Sequence, residues 1–587
     1  RRTSPTDLVR LLGEPTQKLE YLVMPSQDPP YEHVPDPTPE NAAAGTRRKR
    51  LRPAVVVPVI AVMAVLVSFA LFLRPGATVD AAPAPAPASS TAVAPVETLP
   101  PAPPVKYYEQ PGPPPGSPLE AVEPLQISVA KDLVGTRLAK GMVGISLEAT
   151  DLADPALSGG NASLVKLFQE ADQPVLRFGG NAVDRRFYWT STNEAIPSNY
   201  KGDKAHPVRA VGPEDLARVK TLLDAVDAKI ALTVDLGHYD PARAADMAKH
   251  AAQIFGPRLL SLTIGNEPNG FGTNGVRQAG YNIEDYLAEL KTYANAINAV
   301  APNVPISGPG AYDQKWWQPF IDADIPQKKI LSFHNYPLYS CDGVVDPLAS
   351  PTMANLMSRL MHDRAEDYQQ AALKTGRDAG LEVWLPETGI AACPGSNETS
   401  RTHGSALWTV DYALNAAQLG ITRLGFHSSM LTCKGGPPMS AICSGGAYLK
   451  PDGNVSGRAN FFGISMVAEM ESGKFLKLDA KGGGLAFAYA LQNVDGSTSV
   501  VVVNENDPEK AAPTQVTLNL PGRALTGTMT QMSGPSYSSE DSTVIDGAKS
   551  EPTPLADRAT VEGFNYGSQT QTFKLTAGTV SVLNFQY

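Results

Sequence analysis

The chain has 587 residues, of which 42% are hydrophobic and 18% are charged. This length exceeds one ordinary domain, and the composition is that of a globular protein, although proline is concentrated in the first fifth. The formal net charge at pH 7 is −10, which disfavours nucleic acid or a densely sulfated polyanion as the main ligand.

The N-terminal part predicts a membrane anchor. Residues 1–52 lack sustained hydrophobic periodicity, are rich in proline and end in a basic cluster at 47–52, so we expect a disordered cytoplasmic segment. Residues 53–73 carry no charge and are numerous enough to cross a hydrocarbon core of about 30 Å. The basic cluster before this run places the N-terminus in the cytoplasm and the rest of the chain outside. A cleaved signal peptide is the alternative, but signal cores usually have about 7–15 residues.

A spacer follows the predicted anchor. Residues 74–124 are rich in alanine and proline, which is typical of a semi-extended linker that holds a domain away from a membrane. Residues 75–587 carry 39 basic and 52 acidic residues, so the predicted exterior part is acidic. Residues 125–139 begin with a strand-like stretch at 125–129, which we expect to join a β-sandwich formed by the other end of the chain.

Residues 140–471 alternate apolar strands with amphipathic helices. Helical periods occur at 213–228, 283–300, 352–376 and 404–419. The candidate strands are 142–147, 174–178, 229–235, 259–265, 304–308, 330–334, 382–386 and 423–427. Eight strands alternating with helices predict a (β/α)8 TIM barrel. An open doubly wound sheet is the alternative, but no glycine-rich phosphate turn follows any strand.

Residues 472–587 lose the helical period. Short alternating strands at 485–492, 498–504, 514–520, 526–533 and 571–585 are separated by Gly, Pro, Asn and Asp turns. This pattern predicts a C-terminal antiparallel β-sandwich. The four cysteines allow three pairings, of which we favour Cys341 with Cys393 and Cys433 with Cys443.

Two glutamates end apolar strands in the same way. Glu267 lies in a Gly-Asn-Glu-Pro turn at 265–268, and Glu387 lies in a Pro-Glu-Thr sequence at 386–388. Because the carboxyl ends of parallel barrel strands meet at one mouth, these side chains can lie across it from each other. A lone glutamate at a strand end is more often solvated, but the pair predicts glycosidic bond cleavage. No Gly-x-Ser-x-Gly, Walker or His-Glu-x-x-His pattern supports a competing class of enzyme.

These motifs resemble those of the retaining glycosidases of clan A, whose two carboxylic residues close the fourth and seventh barrel strands. The Leu-Arg-Phe-Gly-Gly-Asn segment at 176–181 narrows the resemblance to glycoside hydrolase family 79, which contains β-glucuronidases and heparanase-like enzymes. The resemblance covers residues 125–587. It implies a barrel with a β-sandwich built from both chain ends, and a retaining β-glycosidase that is β-glucuronidase-like in substrate. Together with the predicted anchor, this leads us to expect a membrane-anchored extracellular enzyme.

The resemblance also implies roles for individual residues. Glu267 would be the acid/base, Glu387 the nucleophile and Asn266 a donor to the sugar 2-hydroxyl. Tyr336 would donate a hydrogen bond to the nucleophile, and His334 would line the floor of the same active site. His427, which ends the eighth predicted strand, is either a floor residue or an ordinary buried histidine. No metal or cofactor is required for this chemistry.

Further residues are candidates for substrate binding. Asn181 lies in the Gly-Gly-Asn segment, and Trp316 is either a sugar-stacking platform or a core residue that opens a helix. Arg177, with Arg185 and Arg186, would meet a uronate carboxylate or pair with the barrel carboxylates. The expected partner is a polysaccharide or glycoconjugate. A neutral-sugar glycosidase and a catalytically inactive carbohydrate-binding or wall-tethering protein are the alternatives.

Overall fold

A computed structural model describes residue 114 and residues 116–341, 345–393, 399–470, 472–546, 553–554 and 564–587. The expected cytoplasmic segment (1–52), membrane anchor (53–73) and linker up to residue 113 lie outside the described residues. Within these ranges, no helix combines the length and the apolar character that a membrane span needs. The expectations for the N-terminal part therefore stay predictions.

The described elements follow one another in the order expected of a barrel and then a sandwich. The strands are β1 (Leu125–Arg137), β2 (Val143–Glu148), β3 (Val175–Gly179), β4 (Phe187–Trp189), β5 (Arg209–Val211), β6 (Lys229–Val234), β7 (Leu259–Ile264), β8 (Ile306–Ala311), β9 (Lys328–Asn335), β10 (Glu382–Thr388), β11 (Arg423–Ser428), β12 (Ile442–Ala447), β13 (Lys450–Gly457), β14 (Lys474–Lys481), β15 (Ala486–Gln492), β16 (Thr498–Asn504), β17 (Thr514–Ala524), β18 (Thr526–Ser533), β19 (Val544–Asp546), β20 (Thr553–Pro554), β21 (Ser568–Leu575) and β22 (Thr579–Gln586). The helices are α1 (Ala162–Glu170), α2 (Pro213–Ala225), α3 (Pro241–Phe255), α4 (Ile283–Val300), α5 (Trp317–Asp322), α6 (Met353–Leu356), α7 (Arg359–Asp378), α8 (His403–Leu419) and α9 (Ala459–Glu469).

Eight parallel strands form a closed barrel. They are β2, β3 and β6 to β11, and each pairs with the next one along the chain until β11 pairs with β2. Strand β3 is buried along its whole length, because helices cover the outer face and side chains fill the interior. The TIM barrel predicted from the sequence is confirmed, and β7 and β10 are its fourth and seventh strands.

The β-sandwich is confirmed as well. Within the described part of the chain, its strands form one 10-stranded sheet in which β1 lies between β14 and β17. Strand β1 pairs antiparallel with β14 and parallel with β17, as expected of a strand that joins the two chain ends. Val516 of β17, near one end of the sheet, shares a buried cluster with Val500 of β16 and Leu583 of β22. The sheet therefore folds over and encloses its own core.

The sandwich also packs on the barrel. Alternate residues of β15 and β16, including Phe487, Tyr489 and Val501, point away from the sandwich core and join the core of the barrel. Helix α8 lies at this contact and is buried on nearly all sides up to Ala417. A helix that is buried on nearly all sides is expected where two layers cover it.

Two loop regions at the barrel are cross-linked. Cys341 bonds to Cys393, and Cys433 bonds to Cys443, so the favoured pairing is confirmed. The first bond joins the chain after β9 to the chain after β10, which are the strands that carry His334 and Glu387. The cross-links thus restrain the loops that follow two of the site-bearing strands.

Some expected elements are wrong in extent. The helix expected at 352–376 is divided into α6 and α7, because the Ser358 side chain caps a new helix by accepting from the Met361 N–H group. The strand expected at 571–585 is two strands, β21 and β22, which are joined by a turn that includes Gly578 in the left-handed region (φ +67°).

Other elements were not expected at all. Helices α1, α3 and α9 and strand β14 lack a predicted counterpart. Helix α3 had a usable signal, since the Asp240 side chain accepts from the Arg243 N–H group and Pro241 occupies the first turn.

Candidate active site

Glu267 lies directly beyond the fourth barrel strand in a strained conformation. Its φ of 52° and ψ of 53° are left-handed, which is uncommon for a residue with a side chain. Its N–H group donates to the Gly310 carbonyl oxygen at 3.1 Å, and Pro268 opens a short 3-10 turn directly after it. The turn therefore fixes the direction of the Glu267 side chain at the barrel mouth.

Glu387 lies opposite, within the seventh barrel strand. One carboxylate oxygen of Glu387, one of Glu267 and a ring nitrogen of His334 all lie within 4.8 Å of one another. Retaining glycosidases need a separation of about 5–5.5 Å, whereas inverting ones need about 6.5–9.5 Å. The structure therefore brings the two predicted glutamates together at the shorter separation.

Both oxygens of Glu387 are held by donors. Arg177 Nη1 donates to Oε2 at 2.5 Å, and the Tyr336 hydroxyl donates to Oε1 at 3.0 Å. The same guanidinium donates from Nη2 to Asn266 Oδ1 at 2.6 Å and from Nη1 to Ser146 Oγ at 3.0 Å. Arg177 is 4% exposed, so it connects residues of the site and is not an open cation for a ligand.

The side-chain amide of Asn266 has one hydrogen-bond donor that is not satisfied by the described residues. Its side-chain oxygen accepts from Arg177, while its Nδ2 is buried and has no hydrogen-bond partner among the residues that the structure describes. Because a buried donor without a partner costs free energy, this amide is suited to donate to a hydroxyl of a bound molecule. The position agrees with the expected role of Asn266 beside the acid/base.

The two glutamates have opposite pKa shifts. Burial raises the pKa of Glu267, and the negative charge of Glu387 raises it further, although the hydrogen bond with His334 acts against this. For Glu387, burial would raise the pKa, but His427, His334 and Arg177 outweigh burial and hold the pKa well below its ordinary value. These shifts favour a proton on Glu267 and ionisation of Glu387, which is the division that acid–base and nucleophilic roles require.

His334 bridges the two glutamates. Its Nδ1 lies 2.9 Å from Glu267 Oε1 and 3.7 Å from Glu387 Oε2. Within the described residues, these three form the one cluster of His, Cys, Asp and Glu close enough to offer three metal ligands. Both oxygens of Glu387 already accept from Arg177 and Tyr336, so the contacts fit acid–base chemistry better than metal coordination.

Glu148 and His427 form an ion pair next to Glu387. Glu148 was not predicted from the sequence as a site residue. The Glu148 Oε2 atom accepts from the Ala182 N–H group at 2.8 Å, and Oε1 lies 3.4 Å from His427 Nε2. His427 Nδ1 lies 3.9 Å from Glu387 Oε1. Burial lowers the pKa of His427, but Glu387 and Glu148 raise it to about 9. A signal existed, because Glu148 also ends an apolar strand.

The glycine pair of the Gly-Gly-Asn segment leaves space for the side chains of Arg177 and Glu148. A Cβ atom at Gly179 would collide with the Arg177 guanidinium, and one at Gly180 would collide with the Glu148 carboxylate. Gly180 also has a φ of +68°, which favours glycine. The motif therefore allows the backbone to approach two charged side chains of the site closely.

Asp184 fixes the backbone beside Asn266. Its Oδ1 accepts from the N–H groups of Leu236 and Gly237 at 2.8 and 2.9 Å, and its Oδ2 accepts from the Asn266 N–H group at 2.7 Å. Burial and the neighbouring Asp235 raise the pKa of Asp184 to about 7. The side chain thus ties the loop after β3 to the ends of β6 and β7.

Two predicted residues lie away from these contacts. Trp316 is buried and packs against Tyr286 with ring centroids 5.5 Å apart, so it belongs to the core and is not a sugar platform. Asn181 is exposed in the loop after the glycine pair, and Arg185 and Arg186 are partly buried in the same loop.

Comparison with known proteins identifies the fold. No protein-family model matches the chain, and no curated protein matches it in sequence. A solved 4-O-α-L-rhamnosyl-β-D-glucuronidase from Fusarium oxysporum 12S is similar to it with a TM-score of 0.57 and 16% identity, over 82% of this chain and 100% of that one. A GH51 arabinofuranosidase from Xanthomonas axonopodis pv. citri has a TM-score of 0.56 and 13% identity, over 79% and 100%. At such identities these similarities establish a shared barrel-and-sandwich fold.

Proposed function

We propose that the chain is a retaining O-glycosidase in which Glu387 is the nucleophile and Glu267 is the acid/base. The observation that carries this proposal is a pair of carboxyl groups that have one oxygen each within 4.8 Å of the other and pKa values shifted in opposite directions. The glycoside hydrolases named above share the fold and support the reaction class by analogy.

The reaction proceeds in two steps. Ionised Glu387 attacks the anomeric carbon while Glu267 gives its proton to the glycosidic oxygen, which leaves as an alcohol. Glu267, now ionised, takes a proton from a water molecule, which attacks the same carbon and releases Glu387. Arg177 and Tyr336 keep the Glu387 carboxylate in place, and Asn266 Nδ2 donates to the sugar 2-hydroxyl.

Product stereochemistry tests the proposal. The first sugar released from a β-glycoside should have the β configuration when followed by proton NMR, and release of the α anomer would contradict the retaining mechanism. Glu387→Ala with azide should form the α-glycosyl azide, and Glu267→Ala with azide should form the β product. Full activity in either variant without azide would refute its assigned role.

For the substrate we propose a β-glucuronide. The Gly-Gly-Asn segment supports it, as does the similarity to a protein described as a rhamnosyl-glucuronidase. A neutral sugar is the second candidate, because Arg177 donates to Glu387, Asn266 and Ser146 and offers no open cation for a uronate. An aryl β-glucuronide should exceed the matching β-glucoside at least about tenfold in kcat/KM, which corresponds to about 1.4 kcal/mol. Equal rates would favour the neutral sugar.

We also propose that the enzyme is anchored in the cell membrane with its catalytic part outside. The basic cluster at 47–52 and the uncharged run at 53–73 support this location. Protease added to intact cells should release the catalytic part. Protection of that part, or a mature N-terminus near residue 82, would overturn the anchored arrangement.

A further inference from the structure

His427 lies between two carboxylates that belong to different strands. It is on β11, the last barrel strand, which pairs with the first strand β2 and with β10. Its Nε2 lies 3.4 Å from Glu148 Oε1 and its Nδ1 lies 3.9 Å from Glu387 Oε1. The imidazole ring therefore has one nitrogen directed to each carboxylate.

The charged groups around the His427 ring show which negative charges it can compensate. Glu387 has a second cation, Arg177, at 2.5 Å, whereas Glu148 has His427 as its ion-pair partner at 3.4 Å and Arg186 as a further positive charge. Asp151, which follows β2 and is half-buried, also interacts with His427 and with Glu148. Without a cation at His427, ionised Glu148 and Glu387 would repel each other in a largely buried site.

We propose that His427 is a positioning residue that acts as an imidazolium cation between Glu148 and Glu387 and allows both carboxylates to be ionised side by side. This inference rests on the proposed function for Glu387. In this proposal, a residue of the eighth barrel strand helps to keep the nucleophile Glu387 ionised. The pair Glu267 and Glu387 alone does not explain why His427 lies beside the nucleophile.

The charge state of each neighbour follows from this arrangement. Burial opposes ionisation of Glu148, but its hydrogen bond and charge interaction with His427 lower its pKa. The positive charge of His427 lowers the pKa of Glu387, as do His334 and Arg177. Removing the His427 charge should therefore raise the pKa of the nucleophile towards its ordinary range near 4.3.

A pH profile tests this with a substrate that needs no acid catalyst. A 2,4-dinitrophenyl glycoside of the sugar that the enzyme hydrolyses fastest has a good leaving group, so protonation of Glu267 does not limit its cleavage. The kcat/KM of the wild-type enzyme should stay level from about pH 6 down to about pH 4, whereas that of His427→Gln should begin to fall below about pH 5, because its acidic limb moves up by at least about one pH unit towards the ordinary glutamate pKa near 4.3. His427→Lys should restore the wild-type limb.

The matched control is His362→Gln. His362 is also a partly buried histidine with a raised pKa, but it pairs with Asp411 between the barrel and the sandwich. This variant should keep the wild-type profile. The proposal would be overturned if the acidic limb of His427→Gln coincided with that of the wild type. It would also be overturned if His427→Lys had the same shifted acidic limb as His427→Gln.

Nitrogen NMR of the imidazole separates this inference from the proposed function. In wild-type protein, the His427 ring should remain protonated up to about pH 9, and Glu148→Gln should lower its pKa by about one unit or more. Titration of the wild-type ring near 6.5, or no shift in Glu148→Gln, would refute the cation role. This readout needs no turnover, so absence of glycoside hydrolysis would refute the proposed function and leave the His427 result standing.

Discussion

Two carboxylate clusters in this molecule each contain a buried glutamate, and the pKa values of these two glutamates are shifted in opposite directions. The first is the pair Glu267 and Glu387 at the barrel mouth. The second lies between barrel and sandwich, where Asp411 Oδ1 accepts from the Tyr489 hydroxyl at 2.6 Å and Asp411 Oδ2 lies 2.6 Å from His362 Nδ1. Glu505 belongs to this second cluster, and its buried Oε1 has no hydrogen-bond partner in the described part of the chain.

The two most buried glutamates of these clusters illustrate the difference. Glu387 is 4% exposed and Glu505 is 3% exposed, so their burial is nearly equal. Burial and the neighbouring Asp411 raise the pKa of Glu505 well above its ordinary value, whereas the cations around Glu387 lower its pKa. Partners, and not burial, therefore decide which of these carboxylates is ionised.

Removing the guanidinium at the mouth should make Glu387 resemble Glu505. Arg177→Met takes away the donors to Glu387, Asn266 and Ser146, and we expect kcat to fall by about 10²–10³-fold, as for the loss of a preorganised charged donor. The control is Arg359→Met, because Arg359 lies over the Phe487 ring at the second cluster and should not affect turnover. If Arg177→Met kept more than half of the wild-type kcat, the conclusion that cationic partners keep Glu387 ionised would be contradicted.

Removing one neutral donor should have a smaller effect. Tyr336→Phe takes the hydroxyl from Glu387 Oε1, and we expect kcat to fall by about tenfold, which corresponds to one hydrogen bond of about 1.4 kcal/mol. Tyr489→Phe removes the equivalent donor from Asp411 and should lower the free energy of unfolding by about 1 kcal/mol without changing kcat. Steady-state kinetics and denaturant unfolding of both variants would show whether the two effects separate in this way.

Replacing the Glu505 carboxyl, whose pKa is raised, should affect stability alone. Because the pKa of Glu505 is raised in the folded protein, its proton stabilises the fold below the unfolded pKa of about 4.3, and this contribution is lost as pH rises through the folded pKa. Glu505→Gln keeps a neutral side chain at all pH values. We therefore expect it to be more stable than wild type at pH 8 by at least about 1.4 kcal/mol, one pKa unit, and similar near pH 4.

Thermal unfolding at the two pH values measures this difference. The exposed Glu509→Gln is the control, and its stability should follow that of the wild type at both pH values. A Glu505→Gln protein that is less stable than wild type at pH 8 would show that the Glu505 carboxylate is ionised and compensated, like that of Glu387.

The barrel and the glutamate pair could be predicted because their signals are local. An apolar run of strand length followed by a polar turn is complete within about ten residues, as at 259–269 and 381–389. The order of the strands then follows from the rules of the fold, which place both strand ends at one mouth. These two steps need no knowledge of distant contacts.

The partners of these glutamates could not be found in the same way. Arg177 contacts Glu387 across 210 positions in the chain, so the sequence around Arg177 does not show whether it binds the site or a ligand. Glu148 and His427 meet because β11 closes the barrel on β2, where His427 is in register with Ser146. Trp316 followed a strand as a platform residue would, but burial against Tyr286 depends on how α4 packs.

The place of β1 inside the sandwich sets the order in which the chain can assemble. Gln126 pairs with Lys481 and Leu125 with Val516, so β1 is synthesised long before either of its neighbours. Until then the apolar side chains of Leu125, Ile127 and Val129 and the strand's hydrogen-bonding groups have no native partner. Such pairing between distant segments is slow, and an unpaired apolar strand can bind other chains. Sandwich formation must therefore be a late step, completed only after nearly the whole barrel has been made.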